Sequence, residues 1–293
     1  MRYFEKHPMT MIVIGILGIS VSSILVRYSD APSAVTAVWR LLWTVIFMTP
    51  AILSSPSART EIKNLPLKTL SLCIFSGLAL AVHFVLWFES LAHTSVASST
   101  AIVCTEVIWV ALGFRFFLKG RISGIAAADI AVTVLGSLMI AWADSGAGGR
   151  LYGDILALIA AIAVAVYTLL GRQVQKTTST GVYTYVLYLS CTAALLFTCL
   201  VQGHRLMAWG LRTPLVGACL ALFSTILGHS VFSWCLKYFS PAFVSASKLC
   251  EPVAAAVLAG ILFGEIPGFV QVLGGILILG GVYAYSREER KNL

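Results

Sequence analysis

HSVFSWCLKYFSPAFVSASKLCEPVAA (229–255) repeats, in pattern, an earlier stretch of the same chain, HFVLWFESLAHTSVASSTAIVCTEVIW (83–109). Each begins with a histidine inside an apolar run and passes an aromatic-rich end. Each then turns through small and hydroxyl residues and reaches a glutamate inside the next apolar run. His83 and Glu106 are 23 residues apart, and His229 and Glu251 are 22 apart. The match continues: LKGRISG (118–124) corresponds to LFGEIPG (262–268), and Gly136 and Gly280 each lie 16 residues past Gly120 and Gly264. Spacing shared over such a length marks two copies of one structural unit.

Composition says what the unit is made of. Of 293 residues, 59% are hydrophobic and only 11% charged, too little polar surface for a soluble domain of this size. Apolar runs fall at 9–27, 33–53, 67–89, 95–117, 122–143, 152–173, 181–202, 213–236, 241–263 and 267–286. Each is long enough to cross a hydrocarbon core of about 30 Å as a helix. The fold expected is therefore all-α and integral to the membrane, with ten transmembrane helices. The first run follows Arg2 and Lys6, but it is too long for a signal-peptide core and lacks an A-x-A cleavage site. It reads as a retained helix.

Five helices per copy is an odd number, so the second copy enters the membrane from the other side. The halves, 1–146 and 147–293, are expected to be inverted repeats, the plan of many secondary transporters. The net charge of +8 follows the same topology. With the N-terminus in the cytoplasm, Arg2, Lys6, Arg59, Lys63, Lys68, Arg115, Lys119, Arg121, Arg172, Lys176, Lys237, Arg287, Arg290 and Lys291 fall on that side. Only Arg27, Arg150, Arg205 and Arg212 face the other. This asymmetry predicts both termini in the cytoplasm and no nucleic-acid partner. All seven cysteines fall within apolar runs without a C-x-x-C pair, so neither disulfide nor zinc is expected, nor any other metal or cofactor.

The chain resembles the drug/metabolite transporter superfamily in its ten-helix EamA group. The resemblance rests on SSILVRYSDAPSAVTAVWRLLWT (22–44), SLAHTSVASSTAIV (90–103), GHSVFSWCLKYFSPAFVSASKLCEPVAAAVLAGILFGE (228–265) and LGGILILGGVYAY (273–285). The first half departs from the E-P-V…F-G-E pattern of the second: Val107 stands where the second half has Pro252, and Arg121 where it has Glu265. The resemblance implies export or exchange of small metabolites, often amino acids, across the bacterial inner membrane.

Ionisable residues at bilayer depth cost about 2.5–3.5 kcal/mol each on insertion scales, so they are expected to face a partner or a wet cavity. Arg40, His83, Glu106, His229, Lys248 and Glu251 are such residues. Lys248 and Glu251, three apart, share a helix face and are expected either to pair or to wall a substrate cavity. Pro252 removes the hydrogen bond to the carbonyl of Lys248, freeing it for a ligand or a hinge. Arg40 is the expected cross-helix partner of Glu106; an unpaired Glu106 would instead be a proton carrier, and His83 and His229 are expected either to titrate in the physiological range or to serve as hydrogen-bonded interhelical residues. Trp43, Trp87 and Trp109 share helix faces with these groups and complete the expected substrate-binding set, as an aromatic wall or as plain packing. Gly15, Gly18, Gly77, Gly113, Gly136, Gly274, Gly275, Gly280 and Gly281 are expected to let helices approach closely.

A secondary transporter working by alternating access fits these features best. Its substrate is a small organic solute, zwitterionic or weakly charged. Proton coupling and a homodimer are left open. No G-x-x-x-x-G-K-[ST] loop offers ATP drive, and no H-E-x-x-H or G-x-S-x-G suggests an intramembrane enzyme. A lipid flippase of the same architecture is the alternative.

Overall fold

The computed structural model describes residues 7–94, 96–143, 151–263 and 267–290. Arg2, Lys6, Arg150, Gly264, Glu265 and Lys291, used in the reading above, lie outside the described residues. Those residues form an all-helical bundle. The spans are α1 (Pro8–Val26), α2 (Ser33–Ser54), α3 (Leu67–His93), α4 (Ser98–Phe116), α5 (Gly124–Ala143), α6 (Leu151–Val174), α7 (Thr180–Val201), α8 (Arg212–Cys235), α9 (Pro241–Leu262) and α10 (Phe269–Glu289). A short surface helix, Pro56–Lys63, joins α2 to α3.

The bundle is apolar outside and, within a largely apolar core, buries charge at its centre. Phe75, Phe116, Phe197, Leu200, Leu215 and Phe269 are exposed, as a hydrocarbon surround permits, while Arg40, Glu106, Lys248 and Glu251 are buried. Bonds between loops show that the chain alternates between two ends. At one end Arg212 pairs with Asp30 at 3.1 Å, Ser33 donates to Glu89, and Thr94 donates to Asp154. At the other, both carboxylate oxygens of Glu61 accept from Ser179 at 2.6 Å, Ser123 donates to Glu288, and the Ser240 amide donates to Glu289. Consequently α1 and α6 begin at opposite ends of the bundle.

Interhelical packing comes in exchange-related sets. α3 lies on α6 as α8 lies on α1, and α3 meets α7 as α8 meets α2; α4 meets α6 as α9 meets α1. Three contacts are their own counterparts: α2 with α7, α4 with α9, and α5 with α10. Most of the stronger interhelical contacts keep a counterpart when the first five helices are exchanged for the last five, whereas α3–α4, α6–α8 and α6–α9 are not matched in this way.

Close approach depends on glycine where backbones touch. A Cβ at Gly136 would stand 2.5 Å from the Gly274 carbonyl oxygen, and one at Gly274 would stand 2.6 Å from that of Gly136. At Gly77 it would collide with the Leu187 carbonyl oxygen. Two expected positions differ: Gly280 has nothing within reach and Gly275 makes only ordinary contact with Val253, because both face away from the α5–α10 seam. Gly136→Val should therefore part α5 from α10 and cost about 1–3 kcal/mol or more. A melting temperature in detergent equal to that of the parent would contradict the seam.

Candidate functional site

The helices nearest the centre are irregular. α4 is broken between Val103 and Glu106, where the Thr105 amide bonds Ile102 and the Ile108 amide bonds Thr105, a tightened i→i+3 turn. α9 is broken at Leu249, whose amide bonds Ala246 in the same way. Each glutamate of the repeated pattern sits at the start of the second half-helix, Glu106 first and Glu251 second, where the positive end of the helix dipole favours a carboxylate. α8 widens into a π-helical stretch over Leu220–Ser230, and Thr225 Oγ1 bonds the Leu220 carbonyl within it.

These irregularities bring the predicted residues together. Arg40, His83, Trp87, Glu106, His229, Lys248 and Glu251 all line one cavity of about 40 Å³. Ser22, Cys104 and Val164 are also in its wall, so both halves contribute. Trp43 and Trp109 do not line it. They stand about one turn along their helices from Arg40 and Glu106, beyond the cavity's extent; Trp43 stacks on Phe47 at 5.5 Å, and Trp109 packs against the core.

The pairing differs from both sequence expectations. Lys248 Nζ bonds Glu106 Oε1 at 2.8 Å, across from α9 to α4, and is not bridged to Glu251 on its own helix. Arg40 does not reach Glu106. Its Nε donates to Thr225 Oγ1 at 2.8 Å, its Nη1 to Ser22 Oγ at 3.1 Å, and its guanidinium lies 4.2 Å over the Phe84 ring. Among the described residues Glu251 and Arg40 have no ion-pair partner. The α4–α9 contact explains the swap: it sets Glu106 directly opposite Lys248, while Arg40 is held on the α1–α8 side by hydroxyls.

The carbonyl left free by Pro252 is not open. The thiol of Cys104, in the break of α4, donates to the Lys248 oxygen at 3.7 Å. His83 Nδ1 donates to the Ala160 carbonyl at 3.0 Å, and its ring stacks on Trp87. His229 lies 6.3 Å from His83, and its Nδ1 is buried without a partner. Among the described residues no group of His, Cys, Asp and Glu is placed to hold a metal ion. Ser22, Phe84, Cys104 and Thr225 were not anticipated. A hydroxyl in an apolar run ordinarily bonds its own helix, as Thr44 does to Arg40 and Thr192 to Tyr188, so nothing in the sequence separates Ser22 and Thr225 from those.

An apolar-surfaced helical bundle with buried charges around a central cavity defines a multi-pass membrane protein, and the comparisons make it a transporter. Residues 151–287 match the EamA-like transporter family, and the chain as a whole resembles the EamA-type drug/metabolite transporters. An uncharacterized transporter of Clostridium kluyveri is 26% identical over 85% of this chain and 84% of its own. The pseudopaline exporter CntI of Pseudomonas aeruginosa is 25% identical over 73% of this chain and 74% of its own. A solved crystal structure shares the fold at a TM-score of 0.77 and 15% identity, covering 96% of this chain and 97% of that one.

Proposed function

We propose that the protein is a secondary transporter of a small organic solute carrying both signs of charge, and that it exports or exchanges that solute across the bacterial inner membrane. The halves 1–146 and 147–293 act as inverted repeats that alternate access to the central cavity, with both termini in the cytoplasm. The observation that carries the reading is the Lys248–Glu106 pair, a buried ion pair that joins one half to the other in the wall of the cavity. Such a contact is made or broken as a unit when the halves move, which suits a two-state gate.

Further observations support it. One end of the bundle carries Arg59, Lys63, Lys68, Arg115, Lys119, Arg121, Arg172, Lys176, Lys237 and Arg287, and the other only Arg27, Arg205 and Arg212 among the described residues, which favours the first as the cytoplasmic side. A cavity of about 40 Å³ holds a few waters at about 10–15 Å³ each, so an organic solute requires the walls to part. The breaks in α4 and α9 and the widened turn of α8 are where they would bend. The name of the Pseudomonas relative favours outward flux.

Counterflow in vesicles containing the full chain, screened over amino acids, amines and organic acids, is expected to reveal at least one solute. Failure of every class to move would overturn the reading. Proton coupling fits Glu251, a cavity carboxylate without an ion-pair partner among the described residues. Uphill accumulation of that solute should then collapse with a protonophore while counterflow persists. Accumulation that survives the protonophore would remove the proton from the cycle.

A further inference from the structure

We infer that Arg40, Trp87 and His229 form a carboxylate-binding subsite in the wall of the central cavity, which makes the transported solute a carboxylate. The inference rests on the transport reading and extends it to one end of the ligand.

Three buried polar side-chain atoms of the cavity lining have no hydrogen-bond partner: Arg40 Nη2, Trp87 Nε1 and His229 Nδ1. All three are nitrogens. Arg40 and Trp87 can only donate there, and a neutral histidine protonated on Nδ1 donates as well. A buried donor without an acceptor is a standing penalty, and three around one hollow call for an acceptor that arrives from outside. Two further indole nitrogens, of Trp43 and Trp109, are also unpartnered but lie away from the cavity.

Geometry adds direction. Thr225 and Ser22 fix the guanidinium through Nε and Nη1, and the Phe84 ring covers its face, so Nη2 is the guanidinium nitrogen without a partner. His229 packs its ring edge against the same Phe84 at 5.4 Å, which puts both groups around one aromatic ring. His229 also lies at 6.3 Å from His83, on which Trp87 stacks at 5.8 Å, so the three side chains belong to one continuous patch. The other cavity cation differs: Lys248 already holds Glu106. A guanidinium with fixed orientation, full burial and no carboxylate of its own suits a ligand carboxylate. Water is the competing occupant, and the experiment distinguishes it.

The test uses the full chain purified in detergent and matched trios of probes on one apolar body. These are phenylalanine, phenethylamine and 3-phenylpropanoate; leucine, isoamylamine and 4-methylpentanoate; and alanine, ethylamine and propanoate. Thermal stabilisation is titrated for each. In at least one trio the amino acid should act at about tenfold lower concentration than the amine, the loss of one charge-assisted hydrogen bond set. Arg40→Gln should bring amino acid and amine to within about threefold, leaving the amine unchanged, and Arg40→Lys should keep part of the preference. Trp87→Phe retains the ring, guards against misfolding, and should weaken only the carboxylate-bearing probes. The subsite is overturned if amine and amino acid match in every trio, if the variants weaken all probes alike, or if no probe binds. Should no probe bind while a solute lacking a carboxylate still shows counterflow, the subsite falls and the transport reading stands.

Discussion

Lys248→Met is expected to destabilise the protein by about 3–5 kcal/mol, the cost of stranding a buried carboxylate whose partner has been taken away. Glu106 is 3% exposed and Lys248 6%, and their contact is direct at 2.8 Å. Removing the ammonium leaves Glu106 ionised in a poor dielectric or forces it to take a proton, and either outcome costs free energy. The double variant Lys248→Met/Glu106→Leu should recover most of the loss, because an apolar pair of similar volume is often as stable as a buried ion pair. Chemical denaturation or thermal melting of the four proteins of this cycle measures the coupling. If each single variant lies within about 1 kcal/mol of the parent, water in the cavity already solvates both charges and the pair is no link between halves. Transport should separate the roles: the double variant, stable but uncharged there, is expected to bind solute yet exchange it slowly, since the contact made and broken between halves is gone.

Much of this architecture can be read directly from residues. Apolar runs at spanning length give an all-helical bundle consistent with ten helices. The grouping of Arg40, His83, Glu106, His229, Lys248 and Glu251 around one cavity is also legible, because charge at bilayer depth has few stable options. Partner assignment was not. Sequence spacing reveals neighbours on one helix, so it favours Lys248 with Glu251, whereas the actual contact depends on the rotation and depth of α4 against α9. The break in α4 illustrates the difficulty, since Val107 stands in place of a proline. There Thr105 Oγ1 bonds the Ile102 carbonyl at 2.6 Å, a local side-chain bond that competes with the helix and leaves no unmistakable mark in the sequence. The π-helical turn of α8 is hidden for the same reason, although it carries both Thr225, which orients Arg40, and His229.

Glu251→Gln is expected to lower solute transport by about two orders of magnitude, equivalent to about 2.7 kcal/mol of lost interaction, with little effect on stability. The asymmetry follows from the pairing. Glu106 is held by Lys248, and Arg40 by two hydroxyls and Phe84, whereas Glu251 lines the cavity with no ion-pair partner among the described residues. Glutamine keeps its size and most of its hydrogen-bonding capacity, so the fold should lose no more than about 1 kcal/mol. What disappears is a negative charge in the wall of the same cavity as Arg40, the group suited to a solute's ammonium and, when the cavity is empty, to a proton. If both occupy the same carboxylate in turn, the variant should lose uphill, protonophore-sensitive flux more completely than counterflow. Rates equal to the parent in correctly inserted Glu251→Gln would take this residue out of the cycle and leave Glu106 as the remaining carboxylate able to serve. A variant that fails to insert is distinguished by its melting profile, which the pairing predicts to be close to that of the parent.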